Sequence, residues 1–277
     1  MAGRGLISYI PALITTVHPS DIHIAVLRIE GTNCEEESYQ AFAELGTQPE
    51  YVHLNMLKHD PSSLFDYQGI FIPGGFSAGD YVRAGAIFAA RIKALLMDEL
   101  LEFVDAGYPV VGVCNGFQVL TELGLLPGLD GVSQTPEACL AVNDSNRFEC
   151  RPTLLRHDHA CPLTACIPEG DIRLIPSAHM EGKLMFPQGA EQRIVQRLDD
   201  EGCIVFRYVD CHGETAGYPW NPNGSIDNIA GLCNPAGNVL GMMPHPERAF
   251  YPWQHQEHGA ADGRALFESM IAYIGTL

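Results

Sequence analysis

Short apolar runs alternate with helical periodicity along the first half of the chain. Residues 23–29 have the apolar density of a strand that is buried on both faces. Similar runs predict further strands at residues 50–54, 69–73, 110–113 and 239–243. Apolar residues that recur every three or four positions predict helices at residues 87–106, 117–123 and 262–274. This alternation predicts an α/β fold with a mostly parallel sheet and helices on both faces.

The first predicted helix carries its own start and stop signals. Asn33 can cap its N-terminus, and Glu36, three residues later, would complete a capping box. Gly46 is expected to end the helix. The apolar face is predicted to consist of Tyr39, Phe42, Ala43 and Leu45.

The pattern changes between residues 133 and 237, where short alternating runs are separated by many glycines and prolines. This part predicts a smaller antiparallel layer beside the main sheet. No linker, repeat or low-complexity block divides the chain, so one domain is predicted over residues 22–277. Residues 1–21 are predicted to be a loosely held extension. Their apolar stretch is interrupted by Pro11 and lacks a cleavage site of small residues, which argues against an export signal.

Charge and cysteine content narrow the class of protein. The net charge of -18 argues against a nucleic-acid surface, which needs clustered Lys and Arg. Nine cysteines form an odd set without compact spacing, which favours a reducing, cytoplasmic compartment over a disulfide framework. No metal site is predicted, because the Cys and His residues between 150 and 166 do not follow a zinc-binding spacing. No stretch is predicted to cross a membrane.

Cys114 is the candidate nucleophile of the chain. It ends a β-branched run and is followed at once by the start of a helical pattern, as in a nucleophile elbow. A helix N-terminus at this point would favour the thiolate over the thiol. The strand at 239–243 delivers His245 and, two residues later, Glu247. A thiol, an imidazole that takes its proton and a carboxylate that orients the imidazole form an activated-nucleophile constellation.

At these residues the chain resembles the class I (triad) glutamine amidotransferases, which are marked by Gly-x-Cys-x-Gly-x-Gln and a distal His-Pro-Glu. More narrowly, it resembles the branch that supplies the glutaminase subunits of phosphoribosylformylglycinamidine synthases. The narrower resemblance covers residues from about 22 to the end, and its motifs lie at residues 31–34, 73–86, 113–118, 146–151, 179–182, 218–225 and 244–248. One departure is Met180, where the family usually has glycine.

The resemblance implies a flavodoxin-like amidotransferase fold and a set of site residues. It implies a triad of Cys114, His245 and Glu247, and an oxyanion hole made by the N–H groups of Gly75 and Asn115. Gly74 and Gly75 follow a predicted strand, where glycine allows the main chain to approach a ligand closely; a simple tight turn is the alternative. The remaining residues implied to bind glutamine are Gly74, Gln118, Arg147 and Phe148. A core or solvated role for Gln118 remains equally open.

The resemblance also implies partners. Ammonia released from glutamine would pass to an ATP-dependent synthetase subunit that makes formylglycinamidine ribonucleotide in purine biosynthesis, together with a small third subunit. No cofactor is expected in this chain, because the glycine-rich segment 73–86 lacks the Lys-Ser/Thr of a phosphate-binding loop. ATP and magnesium are expected on the synthetase.

Three other functions remain open at this stage. The chain could be a class I amidotransferase that serves a different synthetase. It could be a cysteine hydrolase of the related α/β group with a single elbow, which works without His-Pro-Glu. It could also be a scaffold that binds a synthetase without catalysis, although intact Cys114, His245 and Glu247 speak against this.

Overall fold

The computed structural model describes residues 17–255 and 259–277. The strands in this part are β1 (His23–Arg28), β2 (Gln48–His53), β3 (Gly69–Ile72), β4 (Val110–Val113), β5 (Cys139–Val142), β6 (Glu149–His157), β7 (Ile172–His179), β8 (Glu181–Met185), β9 (Ile204–Val209), β10 (Ile229–Cys233) and β11 (Val239–Met242). The α-helices are α1 (Glu35–Glu44), α2 (Leu54–Leu57), α3 (Ala86–Leu95), α4 (Met97–Asp105), α5 (Asn115–Leu123), α6 (Glu191–Asp200) and α7 (Arg264–Ile274).

Nine strands form one mixed sheet in the order β2-β1-β3-β4-β11-β10-β9-β6-β7. The strands from β2 to β11 pair in parallel, and the pairs from β11 to β7 are antiparallel. A second sheet contains only β5 and β8. The predicted α/β class and the smaller antiparallel sheet are therefore confirmed. The other antiparallel strands extend the main sheet, because β10 pairs directly with β11.

Helices cover both faces of the parallel part of the sheet. Phe71 of β3 contacts the rings of Phe42 in α1 and Phe267 in α7. The next residue, Ile72, points to the opposite face, where α5 lies. A Cβ on Gly116 of α5 would stand 2.0 Å from the carbonyl oxygen of Ile72. Glycine therefore lets α5 lie directly against β3 and brings the start of this helix to the edge of the sheet.

The prediction of a single helix at residues 87–106 is wrong. The segment forms two helices, α3 and α4, because the chain turns at Leu96, whose φ of -156 and ψ of 26 are not helical. The turn keeps both Leu96 and Leu100 in the core, with exposed fractions of 2% and 1%. No glycine or proline marks the break, so the periodicity could not reveal it.

The predicted capping box at Asn33 is also wrong. Helix α1 begins at Glu35, and no side chain caps its first turn. The backbone N–H groups of Asn33 and Cys34 instead donate to the carbonyl oxygen of Gly74. The buried positions of α1 are Ser38, Ala41 and Phe42, so the apolar face is rotated from the predicted one.

The predicted extension lies mostly outside the described residues, which begin at Val17. Pro19–Asp21 form a short 3-10 turn, and Ile22 is fully buried. The boundary of the domain at residue 22 stays a prediction. Across residues 17–255 and 259–277, no helix combines the length and the apolar character that crossing a membrane requires.

Candidate active site

Cys114 lies at a sharp turn between β4 and α5. Its φ of 51 and ψ of -105 are unusual for a residue with a side chain, as expected for a nucleophile elbow. Its backbone N–H donates to the carbonyl oxygen of Met242 in β11 at 2.8 Å, which ties the elbow to the strand that leads to His245. The thiol is 3.7 Å from the carbonyl oxygen of Ala178. Backbone contacts from two neighbouring segments thus fix the position of this sulfur.

His245 and Glu247 form a buried hydrogen-bonded pair. Nδ1 of His245 lies 2.6 Å from Oε1 of Glu247, and the two residues are 2% and 1% exposed. Burial opposes a charge on the imidazole, but the Glu247 carboxylate and then the Cys114 sulfur raise the pKa of His245 well above its usual value. Nε2 of His245 is buried and has no hydrogen-bond partner. The imidazole therefore has one nitrogen held by a carboxylate and the other free.

Gly74 lies between the nucleophile and the imidazole. A Cβ at this position would stand 2.7 Å from Cε1 of His245 and 3.3 Å from Cβ of Cys114. Any side chain would therefore displace the catalytic ring. Gly75 adopts a φ of +140, and a Cβ there would stand 2.6 Å from Oδ1 of Asn33. The structure brings both glycines to the site, and both positions require glycine for space or conformation.

Asn115 and Gln118 are buried beside Cys114 and bonded to each other. The amide Nδ2 of Asn115 donates to Oε1 of Gln118 at 2.8 Å, and Oδ1 of Asn115 accepts from Ser77 at 2.6 Å. Nε2 of Gln118 donates to the carbonyl oxygen of Glu181. The amide of Gln118 therefore links α5 to the start of β8. Its contact with a substrate stays a prediction.

Arg147 and Phe148 lie in the loop between β5 and β6. Both side chains are exposed, with Phe148 at 63%. Asn143 holds this loop, because its Nδ2 donates to the carbonyl oxygens of Arg147 and His179, each at 2.9 Å. Its Oδ1 accepts from the N–H of Gly182 at 3.1 Å. The loop is thus joined to the end of β7 and the start of β8, the strand that Gln118 also contacts. A role of the two side chains in binding stays a prediction.

His179 is buried near His245, and its pKa is lowered to about 3 by burial and then by the charge of His245. Nδ1 of His179 is 3.2 Å from Oδ1 of Asn143, so the neutral ring has a fixed orientation. A Cβ on Gly182 would stand 2.7 Å from this ring. Met180, the departure from the family pattern, is not among the residues with positive φ, so the backbone accepts a side chain there without strain.

Cys34 is a second thiol at the site, which the sequence analysis placed in a motif without giving it a role. It is 3% exposed, and its sulfur lies 3.3 Å from the position of a Cβ on Gly74. Nη2 of Arg248 donates to this sulfur at 3.2 Å, and Nε of Arg248 lies 3.7 Å from Glu37. Burial raises the pKa of the Cys34 thiol. Only the fold brings this loop beside His245.

This site and fold define the class of protein as a glutamine amidotransferase. Residues 21–274 match the family of CobB/CobQ-like glutamine amidotransferase domains. A glutamine amidotransferase structure from Thermotoga maritima is similar in fold, with a TM-score of 0.54 at 15% identity over 91% of this chain and 98% of that chain.

Proteins of similar sequence identify the branch of the glutamine amidotransferases to which the chain belongs. A PurQ subunit of phosphoribosylformylglycinamidine synthase from Archaeoglobus fulgidus is 51% identical over 93% of this chain and 98% of the relative. The corresponding subunit from Thermus thermophilus is 39% identical over 90% and 98%. A chain in the structure of PurLQS from Thermotoga maritima has a TM-score of 0.69 at 33% identity, covering 91% of this chain and 99% of that chain. The chain belongs to the family of PurQ subunits of phosphoribosylformylglycinamidine synthase.

Proposed function

We propose that the chain hydrolyses glutamine to glutamate and ammonia as the glutaminase subunit of phosphoribosylformylglycinamidine synthase, with Cys114, His245 and Glu247 as its catalytic triad. The observation that carries the proposal is the buried pair of His245 and Glu247, joined at 2.6 Å, beside the strained elbow of Cys114. A carboxylate, an imidazole and a thiol in this order can activate a nucleophile.

The first half of the reaction forms a thioester. The Cys114 thiolate attacks the carboxamide carbon of glutamine, and the charge that develops on oxygen is stabilised by the N–H groups of Gly75 and Asn115. The N–H of Asn115 belongs to the first turn of α5, where backbone donors have no partner within the helix. Losing one donor of such a pair lowers the rate by roughly 10²- to 10³-fold. His245 then gives a proton to the leaving ammonia.

The second half of the reaction regenerates the Cys114 thiolate and the protonated His245. His245 takes a proton from water, which attacks the thioester and releases glutamate. Glu247 keeps Nδ1 of the ring occupied, so that Nε2 is the nitrogen that exchanges protons. Gly74, Gln118, Arg147 and Phe148 are proposed to hold the rest of the glutamine molecule. Because the pKa of His179 is lowered to about 3, this ring is a much weaker base than His245 near neutral pH.

The ammonia is passed to a synthetase subunit, which makes formylglycinamidine ribonucleotide in purine biosynthesis. Ammonia that escapes into neutral water is protonated and loses its nucleophilic lone pair, so direct delivery between subunits is required. We further propose that a small third subunit joins the complex, that ATP and magnesium bind to the synthetase, that this chain needs no cofactor, and that the complex is cytoplasmic. The support for the last point is the set of free cysteines in the described residues.

The experiment that tests the proposal is labelling by an electrophilic glutamine analogue. The complex is incubated with the analogue, and the modified residue is found by peptide mass spectrometry. We expect one label on Cys114 and protection by glutamine. The exposed Cys139 serves as the control, because an indiscriminate reagent would modify it as well. An unlabelled Cys114 in an assembled complex would favour a scaffold without catalysis.

A further inference from the structure

We propose that Cys161 is a thiol that reacts with peroxides and that the oxidised Cys161 forms a disulfide with Cys233. Both residues are buried free cysteines, and a third, Cys203, lies beside them. The three come from distant parts of the chain, namely the loop after β6, the turn before β9 and the end of β10. The proposed glutaminase reaction uses none of these thiols. The cluster is therefore a second reactive site, which does not depend on the triad.

Packing of two loops brings Cys161 next to Cys233. Cys161 precedes the short 3-10 turn Pro162–Thr164, and Cys233 ends β10. A Cβ on Gly237, in the turn after β10, would stand 2.5 Å from Cδ of Pro162 and 3.5 Å from Cβ of Cys161. Glycine at this position therefore lets the two loops lie against each other. At this contact the Cys233 thiol hydrogen-bonds with the sulfur of Cys161.

The surroundings of Cys161 favour the thiolate, which is the form of cysteine that a peroxide oxidises. The hydrogen bond with Cys233 is the largest influence on the pKa of Cys161 and lowers it, whereas burial acts in the opposite direction. The backbone N–H of Thr164 also donates to the Cys161 sulfur. Donors directed at a sulfur stabilise its negative charge. Cys161 is 7% exposed, so a molecule as small as hydrogen peroxide needs little local opening to reach it.

Cys203 is the poorer partner for Cys233, although hydrogen bonding joins them too. The N–H of Cys233 donates to the carbonyl oxygen of Cys203 at 2.9 Å, which continues the antiparallel register of Leu232 with Ile204. Residues paired in this way have Cβ atoms roughly 5.5 Å apart, whereas a disulfide needs roughly 3.5 to 4.5 Å. Cys161 belongs to a loop outside the sheet, so it can turn towards Cys233 without disturbing strand pairing.

The reaction takes place in two steps, with hydrogen peroxide as the oxidant. The Cys161 thiolate attacks a peroxide oxygen, the O–O bond breaks, and the released hydroxide takes a proton from solvent to form water. Cys161 is then a sulfenic acid. The Cys233 sulfur attacks the sulfur of Cys161, the S–O bond breaks, and the departing hydroxide leaves as water with the Cys233 proton. Two thiols are thus oxidised to one disulfide while one peroxide is reduced to two waters.

Peptide mapping of the oxidised chain tests the proposal. The full chain carrying Cys114→Ala, which removes the catalytic thiol, is treated with hydrogen peroxide while folded, then alkylated, denatured and digested for mass spectrometry. We expect a peptide pair joined through Cys161 and Cys233, which dithiothreitol separates. Adding Cys233→Ser or Cys233→Ala should abolish this pair and leave Cys161 as a sulfenic acid, which dimedone captures. The matched control is Cys203→Ser, which should keep the link.

The rate of oxidation distinguishes a built site from general damage. The link should form at least about tenfold faster than oxidation of the exposed Cys139. Absence of the link in the folded Cys114→Ala chain, a link between Cys203 and Cys233 instead, or oxidation of Cys139 as fast as that of Cys161 would overturn the proposal. The Cys114→Ala chain decides these points even if a Cys233 variant fails to fold, which circular dichroism checks. Glutaminase activity of the wild-type complex tests the proposed function separately.

Discussion

A single carboxylate, that of Glu247, sets the protonation state of the imidazole beside it. The charge of Glu247 is the largest influence that raises the pKa of His245. In Glu247→Gln we expect the pKa of His245 to fall and the turnover of glutamine to fall by about 10²- to 10⁴-fold. Steady-state kinetics over a range of pH measures both effects. Glu268→Gln, whose half-buried carboxylate pairs with Arg264 within α7, is the control. A turnover within twofold of wild type would contradict the role of Glu247.

His245 and Cys114 are expected to act as one unit. His245→Ala should lower glutaminase turnover by roughly 10²- to 10⁴-fold, because the general base is lost. Adding Cys114→Ala to this variant should lower turnover little further, since catalytic residues that act together are not additive. Kinetics of both single variants and the double variant provides the comparison. A nearly normal His245→Ala enzyme would transfer the base role to another residue, although His179 is held neutral by burial.

Asp80 makes stability depend on pH. Burial and then the charge of Glu181 raise the pKa of Asp80 to about 6 from a usual 3.8. The folded chain therefore keeps a proton that the unfolded chain has lost, so this group's contribution to stability declines as pH rises through that interval. Thermal unfolding should show Asp80→Asn gaining stability over wild type between pH 4 and pH 7. Asp66→Asn, at an exposed position, is the control. If the stability difference from wild type does not change with pH for either variant, the effect is refuted.

Single residues also show what the sequence could predict. The meeting of Cys114, His245 and Glu247 was predictable because their residue types and motifs specify a chemistry, whereas their catalytic role stays a prediction. The internal contacts of Gln118 were not, because its partner Glu181 lies in β8, which is distant in the sequence. The position of Cys34 depends on two backbone N–H groups that bind Gly74 rather than start α1. Contacts between loops of this kind leave no periodic signal in the sequence.

The contact between α5 and β3 leaves no room for a side chain at Gly116. In Gly116→Ala the added methyl would stand 2.0 Å from the carbonyl oxygen of Ile72, so the helix must move. We expect a loss of about 1 to 3 kcal/mol in the free energy of unfolding and a marked loss of glutaminase activity. Urea denaturation and kinetics measure the two. Gly217→Ala, where nothing lies within 4 Å, should match wild type. Equal behaviour of the two variants would mean that α5 adapts freely.

The strands and helices differed in how well the hydrophobic pattern of the sequence predicted them. The parallel strands were predictable because a strand buried on both faces reads as a continuous apolar run. Helix α6 was missed because its sequence is strongly polar, and only Leu198 is buried. The break at Leu96 was missed because both halves of the segment keep helical periodicity. The pairing of β10 with β11 joins the antiparallel strands to the main sheet, and the local hydrophobic pattern does not specify which strands pair.

In the assembled complex, we expect glutamine hydrolysis and the synthesis that consumes ammonia to take place on different subunits. Cys114→Ser should abolish glutamine-dependent synthesis by the assembled complex, because the thiol belongs only to the half that generates ammonia. Synthesis from added ammonia should survive at nearly the wild-type rate. Both activities are measured on one preparation, and gel filtration confirms assembly. Equal loss of both activities in an intact complex would contradict this division.

The position of β11 has a consequence for how the protein is made. This strand is the last one along the described part of the chain, yet it lies between β4 and β10 in the middle of the main sheet. While the chain emerges from the ribosome, the earlier strands can form only two half-sheets, whose facing edges remain unpaired and open to aggregation. The strand that joins them also delivers His245 and Glu247. We therefore expect a nascent or C-terminally truncated chain to lack glutaminase activity, because it acquires His245 and Glu247 only when its sheet closes.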